Sequence, residues 1–246
     1  MKTSAILLTA ALAIAGKNYA QTLINRSIPV PAGQKIAMHF DYPELIRVST
    51  WDKNEISIQG TVSINNGEND DAFELQTAAS GNTTTIRNEI KNMKSLPQRI
   101  TVFRDGQKMI FRDNAALSEY QQKNGKAFDV QSWGVDMDIV LEIKVPRNAE
   151  THIESVYGLV EIKDFTGPLN AVSTYGGVDA ALSEKLTGEV IAETNYGDIY
   201  TNFDAKFGGL PSHDDHFHTY VSVKPGNGPK YRFESKYGNV YVRKAN

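Results

Sequence analysis

One short phrase recurs four times in the second half of this chain. The copies are Ser155-Val156-Tyr157-Gly158-Leu159-Val160, Ser173-Thr174-Tyr175-Gly176-Gly177-Val178, Thr194-Asn195-Tyr196-Gly197-Asp198-Ile199 and Ser235-Lys236-Tyr237-Gly238-Asn239-Val240. Their shared pattern is Ser/Thr-x-Tyr-Gly-x-Val/Ile. Successive tyrosines stand 18, 21 and 41 residues apart, and the last interval is close to two periods of about 20 residues. A repeat of this length, made of β-formers and punctuated by glycine, predicts an all-β chain. The expected form is a parallel, β-helix-like β-solenoid with one rung per copy. The 41-residue interval then holds either a degenerate rung or a loop. Residues 217–223 have the pattern of a strand there but lack the Tyr-Gly pair.

Aligned on tyrosine, the copies assign a side to each position. Two residues before the Ser/Thr stand Ile153, Ala171, Ala192 and Phe233, all apolar. Three after the tyrosine stand Val160, Val178, Ile199 and Val240. The residue just before the tyrosine is Val156, Thr174, Asn195 or Lys236, mostly polar and read as outward, which leaves the tyrosine on the inward parity. Inward positions of a flat strand share one parity, and here the parity changes between the tyrosine and the Val/Ile three residues later. Such a change needs a bulge or corner, so Gly158, Gly176, Gly197 and Gly238 are expected at a sharp bend or a positive φ. Stacked rungs would set Tyr157, Tyr175, Tyr196 and Tyr237 in a column beside a column of Ser/Thr. These tyrosines and glycines are therefore read as structural, in preference to a row of sugar-binding aromatics.

The rest of the chain is consistent with that frame. Segments 35–40, 45–50, 55–62, 73–77 and 83–90 alternate or carry β-formers between polar breaks, an irregular β region ahead of the rungs. Residues 135–145 alternate over eleven positions before Pro146-Arg147-Asn148. Residues 92–133 form an excursion, with a hairpin expected at Arg104-Asp105-Gly106-Gln107 and a short helix or irregular loop at 115–123. No Pro/Ser-rich linker divides residues 21–246, which reads as a single domain. The last copy lies at the C-terminus, where Arg243 and Lys244 would discourage pairing at an exposed sheet edge.

The first twenty residues read as a secretory signal peptide: Lys2, an apolar run over 5–15, then small residues ending at Ala20. Cleavage there leaves Gln21 first, and no later stretch has the ~20 apolar residues of a transmembrane helix. Without Lys2 and Lys17 the 26 Lys and Arg fall to 24, against 29 Asp and Glu, a net charge of −5. That balance, with no basic tract, argues against nucleic acid as a partner. Cysteine is absent. Disulfides, thiolate metal sites, cysteine nucleophiles and an acylated N-terminal cysteine are thereby excluded. Export without disulfides points to a bacterial periplasm or outer cell surface.

Chemistry-bearing residues are sparse. His213-Asp214-Asp215-His216-Phe217-His218 groups suitable metal ligands. It sits between glycine- and proline-rich loops, however, and His213, His216 and His218 are read as a solvated polar loop with no cofactor. Asp179 and Asp198 would approach each other on neighbouring rungs, which offers an enzyme reading on a β-helix scaffold. No third partner recurs beside them, and surface solvation is the plainer reading. Gly-x-Ser-x-Gly, phosphate-binding glycine loops and His-Glu-x-x-His are absent.

Taken in order, the leader, Trp51-Asp52-Lys53-Asn54-Glu55-Ile56, Lys144-Val145-Pro146-Arg147-Asn148 and the Tyr-Gly copies resemble the bacterial putative-adhesin family. The resemblance covers most of residues 23–246 and is weakest over 92–133 and 206–229. It implies an exported, single-domain β-helix-like fold in the cell envelope and supplies no catalytic residues. The function expected is non-enzymatic, adhesin-like binding of a protein or glycan. The alternatives are a carbohydrate-active enzyme and a periplasmic partner in envelope sensing.

Overall fold

The structure, a computed structural model, describes residues 21–211 and 217–245. The expected leader, residues 1–20, therefore lies outside the described residues. Among the described residues the chain is all-β apart from one α-helix and three short 3-10 turns. Its strands are β1 (Thr22–Pro29), β2 (Lys35–Phe40), β3 (Leu45–Trp51), β4 (Glu55–Ile64), β5 (Phe73–Ser80) and β6 (Thr83–Ile90). Next come β7 (Arg99–Arg104), β8 (Gln107–Phe111), helix α1 (Asn114–Asn124), β9 (Val130–Gly134) and β10 (Met137–Pro146). The repeat region supplies β11 (Thr151–Ser155), β12 (Leu159–Ile162), β13 (Leu169–Ser173), β14 (Val178–Leu182), β15 (Glu189–Thr194) and β16 (Ile199–Thr201). The chain finishes with β17 (Gly208–Pro211), β18 (Thr219–Val223), β19 (Lys230–Ser235) and β20 (Val240–Lys244).

Two mixed sheets carry the main core. One runs β1-β4-β10-β3-β12-β14-β20-β16 and the other β17-β18-β15-β19-β13-β11-β2-β6-β5. Five strand–corner–strand units, β2/β3, β11/β12, β13/β14, β19/β20 and β15/β16, cross from one sheet to the other. Within each sheet these strands pair in parallel. Antiparallel strands close both ends: β4 and β1 beyond β10, β5 beyond β6, and β18 and β17 beyond β15. The alternating side chains of the two inner faces interlock as one buried cluster, from Ile36, Met38 and Phe40 to Val240 and Val242.

The stacking order corrects the simple picture of successive rungs. The last copy, β19/β20, inserts between β13/β14 and β15/β16. Accordingly, the described residues of the 41-residue interval form no degenerate rung. It holds β17 and β18, which pair antiparallel at a sheet end, and a return loop that brings β19 back into the stack. Packing volumes fit this order. Phe233, wholly buried, is the register partner of Ala171 on one side and Ala192 on the other, so one large ring lies between two small side chains. The return loop is equally close: a Cβ on Gly228 would lie 1.7 Å from the Leu186 carbonyl oxygen.

A second correction follows at the C-terminus. β20 is an interior strand, paired with β14 on one side and, over Val240–Val242, with β16 on the other, rather than an exposed edge strand. Arg243 forms a two-point ion pair with Asp179, and Lys244 pairs with Asp204 and Glu184.

The excursion folds on its own small core. β8, β7 and β9 form a three-stranded sheet, and α1 packs Leu117 against Ile100 and Val102. Asp105 and Gly106, at φ 52° and 74°, make the hairpin turn that Asp-Gly predicts. Residues 114–124 resolve to helix, with the Asp113 side chain accepting from the Ala116 N–H at 2.9 Å as N-cap. Buried Asp136 ties this unit to the main sheets. It receives Lys108 Nζ at 2.7 Å and the Thr101 hydroxyl at 3.3 Å, while its own N–H donates to Asn65 Oδ1 at 3.1 Å.

Candidate functional site

The corners between the two sheets explain every letter of the repeat. The Ser/Thr is buried at each one. Ser155 Oγ accepts from the Gly158 N–H at 3.0 Å, Ser235 Oγ from the Gly238 N–H at 2.9 Å, and Thr194 Oγ1 from the Gly197 N–H at 3.2 Å. Hydroxyls also reach across the stack: Ser173 donates to the Gly158 carbonyl, Ser235 to that of Gly176 and Thr194 to that of Gly238, at 2.9–3.1 Å, while Ser155 donates to the Gly158 carbonyl of its own corner at 3.0 Å. Each hydroxyl thus satisfies peptide groups that the bend withdraws from the sheet ladder.

Glycine follows for a reason of contact. None of the four has a positive φ, which corrects that part of the expectation. A Cβ on Gly176 would instead lie 2.2 Å from the Gly158 carbonyl oxygen, and one on Gly238 1.5 Å from that of Gly176. On Gly197 it would lie 2.1 Å from the Gly238 oxygen. Backbone stacks on backbone here, and no side chain fits between.

With the hydroxyl inward and the glycine against its neighbour, the intervening tyrosine is thrown outward, which corrects the inward parity expected of it. Tyr157, Tyr175, Tyr237 and Tyr196 stack in that order with centroids 5.3, 5.1 and 5.1 Å apart. Tyr42 extends the column at one end, 6.3 Å from Tyr157, and Phe217 at the other, 5.4 Å from Tyr196. The repeat tyrosines are 44–57% exposed and Phe217 64%. Ring faces cover one another within the column, so its solvent side is a ridge of ring edges and phenol groups.

Tyr42 escaped the sequence reading. It occupies the same corner in β2/β3, with Phe40 in register with Ser155 and Ile46 with Val160. Phe replaces Ser, Pro43 stands where glycine would, and Glu44 is one residue extra. A search anchored on tyrosine alone and tolerant of one insertion finds it from the preceding Ile36, Met38 and Phe40.

The Tyr42 end of the ridge opens into a hollow of about 470 Å³ between the main sheets and the small unit, lined by Phe103, Lys108, Trp133, Asp136, Tyr42 and Tyr157 among others. Trp133 is 58% exposed. Asp136 and Lys108 line it, and Asp138 and Glu44 add two carboxylates close by. Partial desolvation first, then the charge of Asp138, raises Glu44 above the usual carboxylate range.

Elsewhere the candidate residues are dispersed or engaged. Asp179 is held by Arg243 on the outer face of its sheet, whereas Asp198 lies in a corner and accepts from the Tyr200 hydroxyl at 3.2 Å. The inserted β20 lies between β14 and β16, so the two aspartates are not on neighbouring rungs. His213 and His216 lie outside the described residues; His218 Nε2 is 2.8 Å from Glu193 Oε1. Among the described residues no cluster of His, Asp or Glu is arranged to hold a metal. On the outer face of the other sheet, Glu154 lies 2.8 Å from both His152 Nε2 and His39 Nδ1. Those two hydrogen bonds hold its carboxyl below the ordinary range.

No family model and no curated protein matches this chain. Among solved structures it is similar to a putative cell adhesion protein from Clostridium sporogenes at 9% identity, over 92% of this chain and 100% of the other, with a TM-score of 0.48. A putative adhesin from Bacteroides fragilis matches at 13% identity over 93% and 100%, with a TM-score of 0.32. A putative lipid binding protein from Parabacteroides distasonis matches at 11% over 91% and 97%, with a TM-score of 0.22. At these identities and scores the likeness assigns neither family nor activity. Among the described residues no helix is long and apolar enough to cross a membrane.

Proposed function

We propose that this chain is an exported, non-enzymatic binding protein of a bacterial envelope, adhesin-like in action. In this reading the parallel units serve as a solenoid-like frame, and the aromatic ridge along their corner is the contact strip for a protein or glycan. The ridge is the observation that carries it: a row of six rings from Tyr42 to Phe217, five of them stacked and Phe217 tilted against Tyr196, lies along one corner of the fold. Contiguous exposed aromatic surface is what recognition sites present and what most of a monomer's surface lacks. The leader supports export. The separation of Asp179 from Asp198, and the engagement of Asp179 by Arg243, weigh against the enzyme reading.

The test is retention of the 21–246 protein on envelope fragments of the producing bacterium. Replacing Tyr175 and Tyr237 together by serine removes the middle of the ridge. Lost ring pairs cost about 0.5–1.5 kcal/mol each, so the variant is expected to remain folded. At least tenfold weaker retention is the expected outcome. Equal retention of a folded variant would overturn the ridge as the contact strip.

A further inference from the structure

The ridge and the hollow at its end differ in what they offer a ligand. Along the ridge the broad faces of the rings are already occupied by neighbouring rings. Trp133 and Phe103, 58% and 37% exposed, take part in no ring pair among the described residues. The hollow therefore presents unused aromatic faces, and about 470 Å³ lies within the range of small-ligand sites.

Its polar groups are few and placed. Asp136 is 8% exposed, and both of its side-chain contacts, from Lys108 Nζ and the Thr101 hydroxyl, fall on Oδ1. Oδ2 is left to accept from a ligand. Ser132 also lines the hollow and supplies a hydroxyl able to donate or accept. Free aromatic faces beside a held carboxylate suit a molecule with an apolar face of C–H groups and a rim of hydroxyls. A pyranose ring has that form. Charge narrows the class further. Lys108 is already paired, and Glu44 and Asp138 add carboxylates nearby. An anionic sugar or a phosphate would enter against this field.

We propose that the hollow is a subsite for a neutral sugar ring, stacked on Trp133 and hydrogen-bonded to Asp136, at the end of the aromatic ridge. The proposal rests on the reading of the chain as a binding protein and names the ligand class for that surface. Asp136 then has a double role: Oδ1 fastens the small unit to the main sheets, and Oδ2 receives a sugar hydroxyl. A protein partner would require no such carboxylate and would be insensitive to free sugar.

The experiment is affinity electrophoresis of the 21–246 protein through gels containing dextran, yeast mannan, a soluble β-1,3-glucan or polygalacturonate. Trp133→Ala and Trp133→Tyr run alongside, with melting curves to confirm folding. Expected is retardation by at least one neutral polymer, at least tenfold weaker for Trp133→Ala and largely kept by Trp133→Tyr, whose ring restores a platform. Polygalacturonate should leave mobility unchanged. Absence of retardation by all three neutral polymers, equal retardation of folded Trp133→Ala, or stronger retardation by polygalacturonate would overturn the subsite. Envelope retention separates the two readings. If it still depends on Tyr175 and Tyr237 while neutral polymers fail to bind or compete, the sugar subsite falls and the binding function stands.

Discussion

Between β11 and β14 the environment of nearly every side chain repeats from one unit to the next, whereas between Met93 and Gly134 none does. In the stack, buried hydroxyl, outward tyrosine, close-packed glycine and inward valine recur because each corner must lie on an identical one about 5 Å away. The small unit meets no such demand. Three strands and one helix enclose Ile100, Val102 and Leu117, and the surface around them is free to carry an exposed tryptophan. Where backbone stacks on backbone, chemistry is dictated by the fold. Where a separate core supports the surface, residues are available for recognition.

The sharpest way to break this contrast is a pair of glycine substitutions. In the stack, Gly238→Val places branched carbon where even a Cβ would sit 1.5 Å from the Gly176 carbonyl oxygen. The expected loss exceeds about 3 kcal/mol, or folding fails altogether. In the small unit, Gly106→Ala meets no atom within 4 Å and carries only the strain of φ +74°, about 1 kcal/mol. Denaturant midpoints compare the two. Equal losses would remove close stacking as the reason for the repeat glycines.

Next in size is Leu117→Ala, which empties part of the small core at about 2–5 kcal/mol. Hydrogen exchange should show protection lost over residues 99–134 and kept in β11 to β14. Uniform loss would mean that the two regions open as one unit.

The smallest effect tests burial inside the stack. Tyr231 is 3% exposed, and its hydroxyl donates to the Phe165 carbonyl at 3.0 Å. Burial pushes this phenol up from 10.0 to about 12. A folded-state value above the unfolded one means that the contribution is fully present below pH 10 and is lost as pH rises through about 12. Tyr231→Phe should cost about 1 kcal/mol at pH 7 for the lost hydrogen bond. It should also flatten the fall in stability between pH 10 and 12. An unchanged alkaline limb would assign that fall to other groups.

Much of the local structure was legible in advance. Period-two alternation placed β2 and β6 at their observed bounds and located β3, β4 and β10 to within a few residues, because one face of each is buried. Asp-Gly marked the hairpin because its two residues tolerate left-handed backbone. Tyr42 was hidden by one inserted residue, which breaks a spaced pattern without moving the ring out of the column. The hollow was hidden more deeply: Tyr42, Phe103, Trp133 and Asp136 carry no common motif, and only packing of the small unit on the main sheets brings them together.

The amino-acid sequence by itself determined the all-β character and the strand–corner–strand unit, since each depends on residues only a few positions apart; that the tyrosine column faces outward emerged only from the structure. Tertiary structure alone decided the order of the units. A parallel backbone ladder accepts any rung as neighbour, so hydrogen bonding cannot choose between sequential stacking and the late insertion of β19/β20. The insertion is compatible with volumes contributed from distant parts of the chain, Phe233 lying between Ala171 and Ala192, and with glycines at the return loop that let its backbone close against Leu186.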